Sequence, residues 1–140
     1  FSSAGRIYLN TQQSNLTSGS ATKVLLDAES FDSGGEGDPN TNNQVDITDT
    51  GTYVIIANVG WENMVVDKTY RSQIYVNGAE IAKYSTQTPV ASDSDTSVSV
   101  IASITAGQKI ELYATSFDDA STSDVAAGAT RTYLSWARLA

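Results

Sequence analysis

Two residue types that carry much of enzyme chemistry are missing from this sequence. Its 140 residues include no cysteine and no histidine. The lack of cysteine excludes disulfide bonds, and the lack of both residues excludes zinc sites built from them. Without histidine there is no Ser-His-Asp or Cys-His arrangement, and the usual general base near neutral pH is lost. The sequence therefore argues against most hydrolase chemistry.

Basic residues are also scarce. Eight lysines and arginines stand against sixteen aspartates and glutamates, which gives a formal net charge of -8 at pH 7. A protein that binds duplex nucleic acid needs a basic stripe to neutralise the phosphates, and neither half of the chain offers one. No apolar run approaches the roughly 18 residues that a membrane span requires. We therefore expect no nucleic-acid partner and no membrane insertion.

The apolar residues recur with a period of two rather than 3.6, which predicts strands and no helix. In residues 97–105 the even positions are apolar and most odd positions are serine. Asn77-Gly78 lies between two such runs and predicts a hairpin with a type I′ turn. The strands predicted in this way cover residues 6–10, 23–30, 44–47, 53–59, 71–76, 79–84, 97–105, 109–115 and 132–139.

Residues 53–59 differ from the other predicted strands because both of their sides are apolar. Tyr53 and Ile55 lie on one side, and Val54 and Ile56 lie on the other. A strand with two apolar sides is either covered by a second layer of the same chain or lines a contact between subunits. The sequence leaves both interpretations open.

Polar stretches rich in Ser, Thr, Asn, Asp and Gly separate the predicted strands. They cover residues 11–22, 32–43, 87–96 and 118–130, and they are too poor in apolar residues to form a core of their own. There is no internal repeat and no linker, so residues 1–140 are predicted to form one domain. About ten short strands separated by turns predict an all-β sandwich of two antiparallel sheets, of jelly-roll type.

Four segments, taken in order, resemble C1q-like domains. Residues 51–61, GTYVIIANVGW, resemble the G-x-Y strand of that family, and residues 73–78, QIYVNG, resemble its next strand and turn. Residues 99–112, SVIASITAGQKIEL, are similar to its L-x-x-G-x-x-V-x-L hairpin, and residues 132–139, TYLSWARL, to its closing F-S-G-x-L-L strand.

The resemblance implies a C1q/TNF-like jelly roll of ten strands that assembles as a compact homotrimer. On this basis we expect Tyr53, Ile55, Tyr113 and Tyr133 in the trimer contact. The chain departs from the family pattern at Trp136, where glycine is usual, so either the packing of the last strand differs or the alignment shifts. The departure suggests a divergent member from a virion surface or a microbial cell surface, extracellular and at the C-terminal head of a longer chain.

Acidic residues cluster in the polar stretches. The clusters consist of Asp32, Glu36 and Asp38, of Asp93 and Asp95, and of Asp118 and Asp119. Calcium prefers carboxylate oxygens in flexible loops, although none of these clusters has the spacing of an EF-hand. The sequence leaves two interpretations open: calcium sites, or solvated loops that keep an acidic protein soluble. Neither interpretation requires a cofactor for function.

Three aromatic residues flank the ends of predicted strands. An exposed ring at Trp61, Tyr70 or Tyr84 would stack against the apolar side of a sugar, so these are candidate ligand-binding residues. The alternative is that all three belong to the core or to a trimer contact.

The sequence favours a binding protein over an enzyme. The expected function is the trimeric head of a viral or phage fibre or spike, or of a microbial surface adhesin, which binds a cell-surface receptor or glycan. The alternative is a structural domain that only trimerises or decorates a capsid. A glycosidase with two carboxylates needs no histidine and is the least favoured function.

Overall fold

The computed structural model describes residues 3–140 of the chain. These residues include twelve β-strands. They are β1 Ala4–Tyr8, β2 Thr22–Lys23, β3 Ala28–Asp32, β4 Gly37–Asp38, β5 Gln44–Asp46, β6 Gly51–Glu62, β7 Thr69–Val76, β8 Ala79–Gln87, β9 Ser94–Ile104, β10 Lys109–Ser116, β11 Asp124–Val125 and β12 Tyr133–Arg138. Residues 3–140 include no helix that could serve as a membrane span.

The strands form two antiparallel sheets. Sheet I has the order β3-β1-β12-β6-β9, and β11 pairs with the far end of β6 on the same side as β12. Sheet II has the order β4-β5-β10-β7-β8, and β2 pairs with β10 on the same side as β5. This arrangement confirms the predicted all-β jelly-roll sandwich.

The core lies between the sheets and is built from the inward positions of the long strands. In β6 these positions begin with Tyr53 and Ile55 and end with Trp61, and all three side chains are 0% exposed. Tyr70 of sheet II packs edge-on against Trp61, with 5.0 Å between the ring centroids. The apolar alternation that predicts these strands therefore also identifies their buried sides.

Trp136 of β12 packs where the family pattern has glycine. Its partner on the neighbouring strand is Gly5, and a Cβ on Gly5 would overlap the Trp136 ring. The indole is 2% exposed, and its Nε1–H donates a hydrogen bond to Glu36 Oε1 at 3.1 Å. The missing side chain on β1 thus makes room for the large one on β12, and the packing of the last strand does differ.

The short elements differ from the sequence prediction. Predicted strand 23–30 is two strands, because β2 pairs in sheet II and β3 pairs in sheet I. The chain crosses between the sheets there, with Val24 and Leu26 buried in the core. Predicted loops 32–43 and 118–130 contain β4 and β11, which have two residues each and show no alternation in the sequence.

The hairpin between β7 and β8 is confirmed. Asn77 and Gly78 have φ angles of 52° and 85°, the two positive values that a type I′ turn requires. Because this turn sets the register, it fixes which side chains of β7 and β8 lie on the outward side of sheet II.

Candidate interaction surface

The outward side of sheet I carries three rows of side chains that cross its strands. The register places Ala4, Ala137, Val54 and Ile101 in the first row, Phe31, Arg6, Ser135, Ile56 and Ser99 in the second, and Tyr8, Tyr133, Asn58 and Ser97 in the third. We call this set of side chains the apolar face.

The apolar face exposes three large hydrophobic side chains. Ile101 lies on the strand next to Ile56, whereas Phe31 lies at the other end of the row, beyond Arg6 and Ser135. Ile101 is 65% exposed, Phe31 54% and Ile56 43%. Neighbouring exposed apolar residues of this kind mark interaction sites, whereas scattered ones are ordinary. Because Ile56 is open to solvent, no layer formed by residues 3–140 covers the second side of β6. The interpretation that a second layer of the same chain covers β6 at Ile56 is therefore wrong, and a contact between subunits stays a prediction.

Arg6 is the only charged side chain in the three rows. Its Nε donates a hydrogen bond to Ser135 Oγ at 2.8 Å, and its guanidinium carbon lies 3.9 Å from the centroid of the Tyr133 ring. No carboxylate within residues 3–140 forms an ion pair with it. The guanidinium is therefore held against the sheet by a ring and a hydroxyl.

A shallow depression of about 220 Å³ lies on this face and is lined mainly by apolar atoms, with Phe31, Ile56 and Trp136 among its residues. Arg6 also lines the depression, whereas the acidic groups lie at the rim, where Arg131 pairs with Asp95 at 3.0 Å and with Glu62 at 3.7 Å. An apolar centre with a polar rim is the usual anatomy of a protein–protein interface.

The four residues predicted for the trimer contact lie in three different places. Tyr133 is on the apolar face, as expected for a contact residue. Tyr53 and Ile55 are fully buried inside the sandwich, so the prediction is wrong for these two side chains. Tyr113 is on the outward side of sheet II. The neighbours Val54 and Ile56 lie on the outward side of β6, on the apolar face.

The candidate ligand-binding aromatics are also divided. Trp61 and Tyr70 are 0% exposed, so the prediction of a sugar-stacking ring is wrong for both. Trp61 Nε1–H donates to Thr96 Oγ1 at 3.0 Å, and the Tyr70 hydroxyl lies 2.8 Å from Ser123 Oγ. Tyr84 is 48% exposed on β8, and its role in ligand binding stays a prediction.

A pair of tyrosines that the sequence analysis did not single out as ligand-binding residues lies on the outward side of sheet II. The rings of Tyr75 and Tyr113 have centroids 4.1 Å apart at an angle of 34°, and both remain partly exposed. They occupy the polar side of β7 and β10, opposite inward residues such as Ile74 and Leu112. In the sequence, each of these tyrosines stands at a position where the alternation of its strand otherwise places a polar residue. This departure from the alternation is the signal that could have identified them.

Most of the predicted calcium ligands already form hydrogen bonds or ion pairs with other residues of the chain. Asp32 accepts hydrogen bonds from the backbone N–H groups of Glu36 and Gly37 at 3.1 and 2.7 Å. Five more of the predicted ligands accept hydrogen bonds from the chain or pair with its cations, namely Glu36, Asp38, Asp95, Asp118 and Asp119. Asp93 is the exception and is exposed. Within residues 3–140 no three acidic side chains come together to hold a metal ion. Calcium binding stays a prediction without support from this arrangement.

Asp118 is a buried carboxylate with a structural role. It accepts hydrogen bonds from the Ser123 hydroxyl at 2.7 Å and from the backbone N–H groups of residues 121–123. Burial alone would raise the pKa of Asp118, but these hydrogen bonds outweigh burial and hold the pKa below its ordinary value. A glycosidase acid needs the opposite shift, a raised pKa.

Comparisons with known proteins find the same architecture. No family model matches the sequence, and no curated protein sequence matches it. Among solved structures, the crystal structure of murine APRIL at pH 5.0 is similar, with 14% identity and a TM-score of 0.75, covering 99% of this chain and 100% of that chain. Eiger TNF from S. frugiperda is also similar, with 11% identity and a TM-score of 0.70, covering 99% and 93%. The chain therefore has the C1q/TNF-like jelly-roll fold.

Proposed function

We propose that the protein is the homotrimeric recognition head of a fibre, spike or surface adhesin, exposed on a virion or a microbial cell, and that it binds a cell-surface receptor or glycan. The trimer forms through the apolar face. The observation that carries the proposal is the exposed apolar surface around Ile56, which has no acidic side chain in its three rows, on a chain with a net charge of -8.

A second and a third copy of this chain are the partners that the charge distribution favours. Copies of an acidic protein repel one another wherever their carboxylates face each other. The apolar face has no acidic side chain in its three rows, so two copies can approach there without this repulsion. Burial of Phe31, Ile56 and Ile101 then supplies the driving force for association.

The position of Ile101 supports a ring of copies rather than a pair. Ile101 lies on β9, which is the edge strand of sheet I and pairs only with β6. An edge that packs against the face of the next copy makes a heterologous contact, and such contacts form a ring when the rotation between copies closes and a filament when it does not. The resemblance to C1q-like domains favours closure at three copies.

Recognition follows from the assembly. Three copies present three identical outer surfaces, and multivalent attachment raises a weak affinity at each site without any new contact. A purely structural head would have the same apolar face, so the ligand screen described below separates the two functions.

The molecular mass in solution, measured by light scattering over a range of protein concentrations, tests the assembly. We expect a mass of three chains. Ile56→Lys places a charge in the centre of the apolar face and should give a monomer. Val66→Lys is the matched control, because Val66 is 44% exposed and lies in the loop between β6 and β7.

The control should keep the mass of three chains. A monomeric wild-type protein at the highest concentration would overturn the trimer proposal. So would a trimer that survives Ile56→Lys as well as it survives Val66→Lys, because the contact would then lie elsewhere. Circular dichroism of each variant verifies that the strands are intact.

A further inference from the structure

We propose that the outward side of sheet II binds an acidic carbohydrate, meaning a sugar that carries a carboxylate group. This inference rests on the proposed function, because it names the class of ligand that the head recognises. The side chains concerned lie on β2, β7, β8 and β10, and we call them the tyrosine face.

Three rows of side chains cross the tyrosine face. The register places Ser85, Arg71 and Thr115 in the first row, Lys83, Gln73, Tyr113 and Lys23 in the second, and Glu80, Tyr75 and Glu111 in the third. Neighbours within a row are close enough for their side chains to touch, and aromatic residues also reach the adjacent row. The rows therefore combine rings, cations and hydroxyl or amide groups in one continuous surface.

The two rings provide a place for a sugar to stack. Tyr75 and Tyr113 support each other at 4.1 Å between centroids, and neither hydroxyl has a hydrogen-bond partner within residues 3–140. Burial raises the pKa of both phenols, so they stay protonated and able to donate at neutral pH. A pyranose that stacks its C–H side on these rings can therefore also accept hydrogen bonds from them.

Two cations beside the rings are free to bind a carboxylate. Lys83 is exposed and forms no ion pair with any described residue. Arg71 donates from Nε to Ser85 Oγ at 2.7 Å and lies over the Phe117 ring at 5.1 Å, which leaves its terminal nitrogens without a carboxylate. Arginine held in this way is suited to a two-point contact with a carboxylate.

The charge balance of this surface is the reverse of the balance of the whole chain. The chain has twice as many acidic as basic residues. The tyrosine face, with Lys109 and its register partner Asp46 at the edge, has four basic side chains, Lys23, Arg71, Lys83 and Lys109, against three acidic ones, Asp46, Glu80 and Glu111. Lys23 pairs with Glu111 at 2.7 Å, so Arg71, Lys83 and Lys109 supply the positive charge that attracts a ligand. A partner that carries negative charge is attracted to this face and repelled by most of the remaining surface.

The paired rings favour a sugar over an acidic peptide. A peptide rich in glutamate would use the cations but gains little from two flat rings, whereas a uronic or sialic acid uses both. Binding of oligogalacturonate, alginate and polysialic acid to the intact chain, measured by isothermal titration calorimetry, tests this. The comparison probes are methyl-esterified oligogalacturonate, which has lost its charge, and poly-L-glutamate, which has no sugar ring.

We expect at least one of the three acidic carbohydrates to bind. If oligogalacturonate is the one, its methyl ester should bind about tenfold more weakly, since a hydrogen bond to a charged group is lost. Lys83→Gln should weaken binding by about the same factor, and Tyr113→Ser should weaken it while Tyr113→Phe largely keeps it. Lys68→Gln is the matched control outside the tyrosine face and should not change binding.

The proposal is overturned if none of the three acidic carbohydrates binds, if poly-L-glutamate binds as well as they do, or if Lys83→Gln has no more effect than Lys68→Gln. Lys83 is fully on the surface, so this comparison holds even if Tyr113→Ser fails to fold. Light scattering on the same samples separates the two proposals. A trimer that binds no acidic sugar rejects only this inference, and a monomer that binds one rejects only the trimer.

Discussion

Single buried carboxylates hold the loops of this protein to its strands, and Asp118 shows how. We expect Asp118→Asn to lower the free energy of unfolding by about 1–3 kcal/mol at pH 7, because buried N–H groups lose an acceptor. The pKa of Asp118 is lowered in the folded state, so its stabilisation is complete above the ordinary aspartate pKa of about 3.9. That stabilisation is lost as the pH falls through the folded-state pKa.

Urea unfolding at a series of pH values checks this prediction. The difference between wild type and Asp118→Asn should be largest at neutral pH and should shrink in acid. Asp119→Asn is the control, because the Asp119 side chain is 79% exposed and its pair with Lys68 lies at the surface. A difference that is independent of pH would contradict the assigned role.

Glu36 joins three groups in the interior. The side chain is 1% exposed and accepts hydrogen bonds from Trp136 Nε1–H at 3.1 Å and from the Thr48 backbone and hydroxyl at 2.7 and 2.8 Å. Glu36→Ala should lower the free energy of unfolding by about 2–4 kcal/mol, because buried donors are left without an acceptor. Urea unfolding at pH 7 checks this prediction, and Glu29→Ala, on the exposed side of β3, is the control that should have little effect.

The sequence could predict some of these roles and not others. Trp136 is in phase with Leu134, and this alternation correctly predicts a core side chain. Trp61 and Tyr70 were expected near strand ends, but position along a strand does not reveal which side a residue faces. The structural role of Glu36 depends on Trp136, which lies 100 residues along the chain, and no local pattern contains that information. The partners of Asp118 are the nearby residues 121–123, but the sequence does not show that this carboxylate is buried.

Among the elements, the hairpin of β7 and β8 depends most directly on one residue. Gly78 has a φ of 85°, which side chains with a Cβ rarely adopt. Gly78→Val should lower the free energy of unfolding by about 1–2 kcal/mol in urea. Ala79→Val next to it should be neutral, because the residue is exposed and begins a strand that suits branched side chains. Equal effects of the two variants would contradict the turn assignment.

Long strands were predictable because they repeat their alternation several times. β6, β9 and β10 show it clearly, and all three lie where the sequence places them. The strands β2, β4 and β11 have two residues each, which is too short for any period. Such strands exist because a long neighbour offers backbone partners, and this depends on the tertiary fold.

Over the whole molecule, the two outward faces should respond to salt in opposite directions. Added salt screens the repulsion between acidic copies and therefore tightens association through the apolar face. The same salt screens the attraction between the tyrosine face and a carboxylate, and so weakens sugar binding. Sedimentation should therefore show tighter association, and titration calorimetry weaker sugar binding, as the ionic strength of the same samples is raised to about 0.5 M. If salt strengthened both association and sugar binding, or weakened both, the assignment of the faces would be contradicted.

The candidate surface itself was only partly predictable. Apolar residues on both sides of residues 53–59 pointed to a contact, and the structure shows which side is exposed. The rows that join Phe31 to Ile56 and Ile101 come from separate parts of the chain and require the register between strands. The tyrosine face has the same origin, since Lys83 and Tyr113 become neighbours only through β7.

The fit between Gly5 and Trp136 has a consequence for how this protein can change over evolutionary time. A side chain at position 5 is excluded while the indole is present, and a glycine at position 136 would leave a hole beside β1. A Cβ at position 5 would also lie 2.9 Å from the Phe31 backbone oxygen, so a change at Trp136 alone does not open this position. Lineages that keep the indole at position 136 should therefore also keep glycine at position 5.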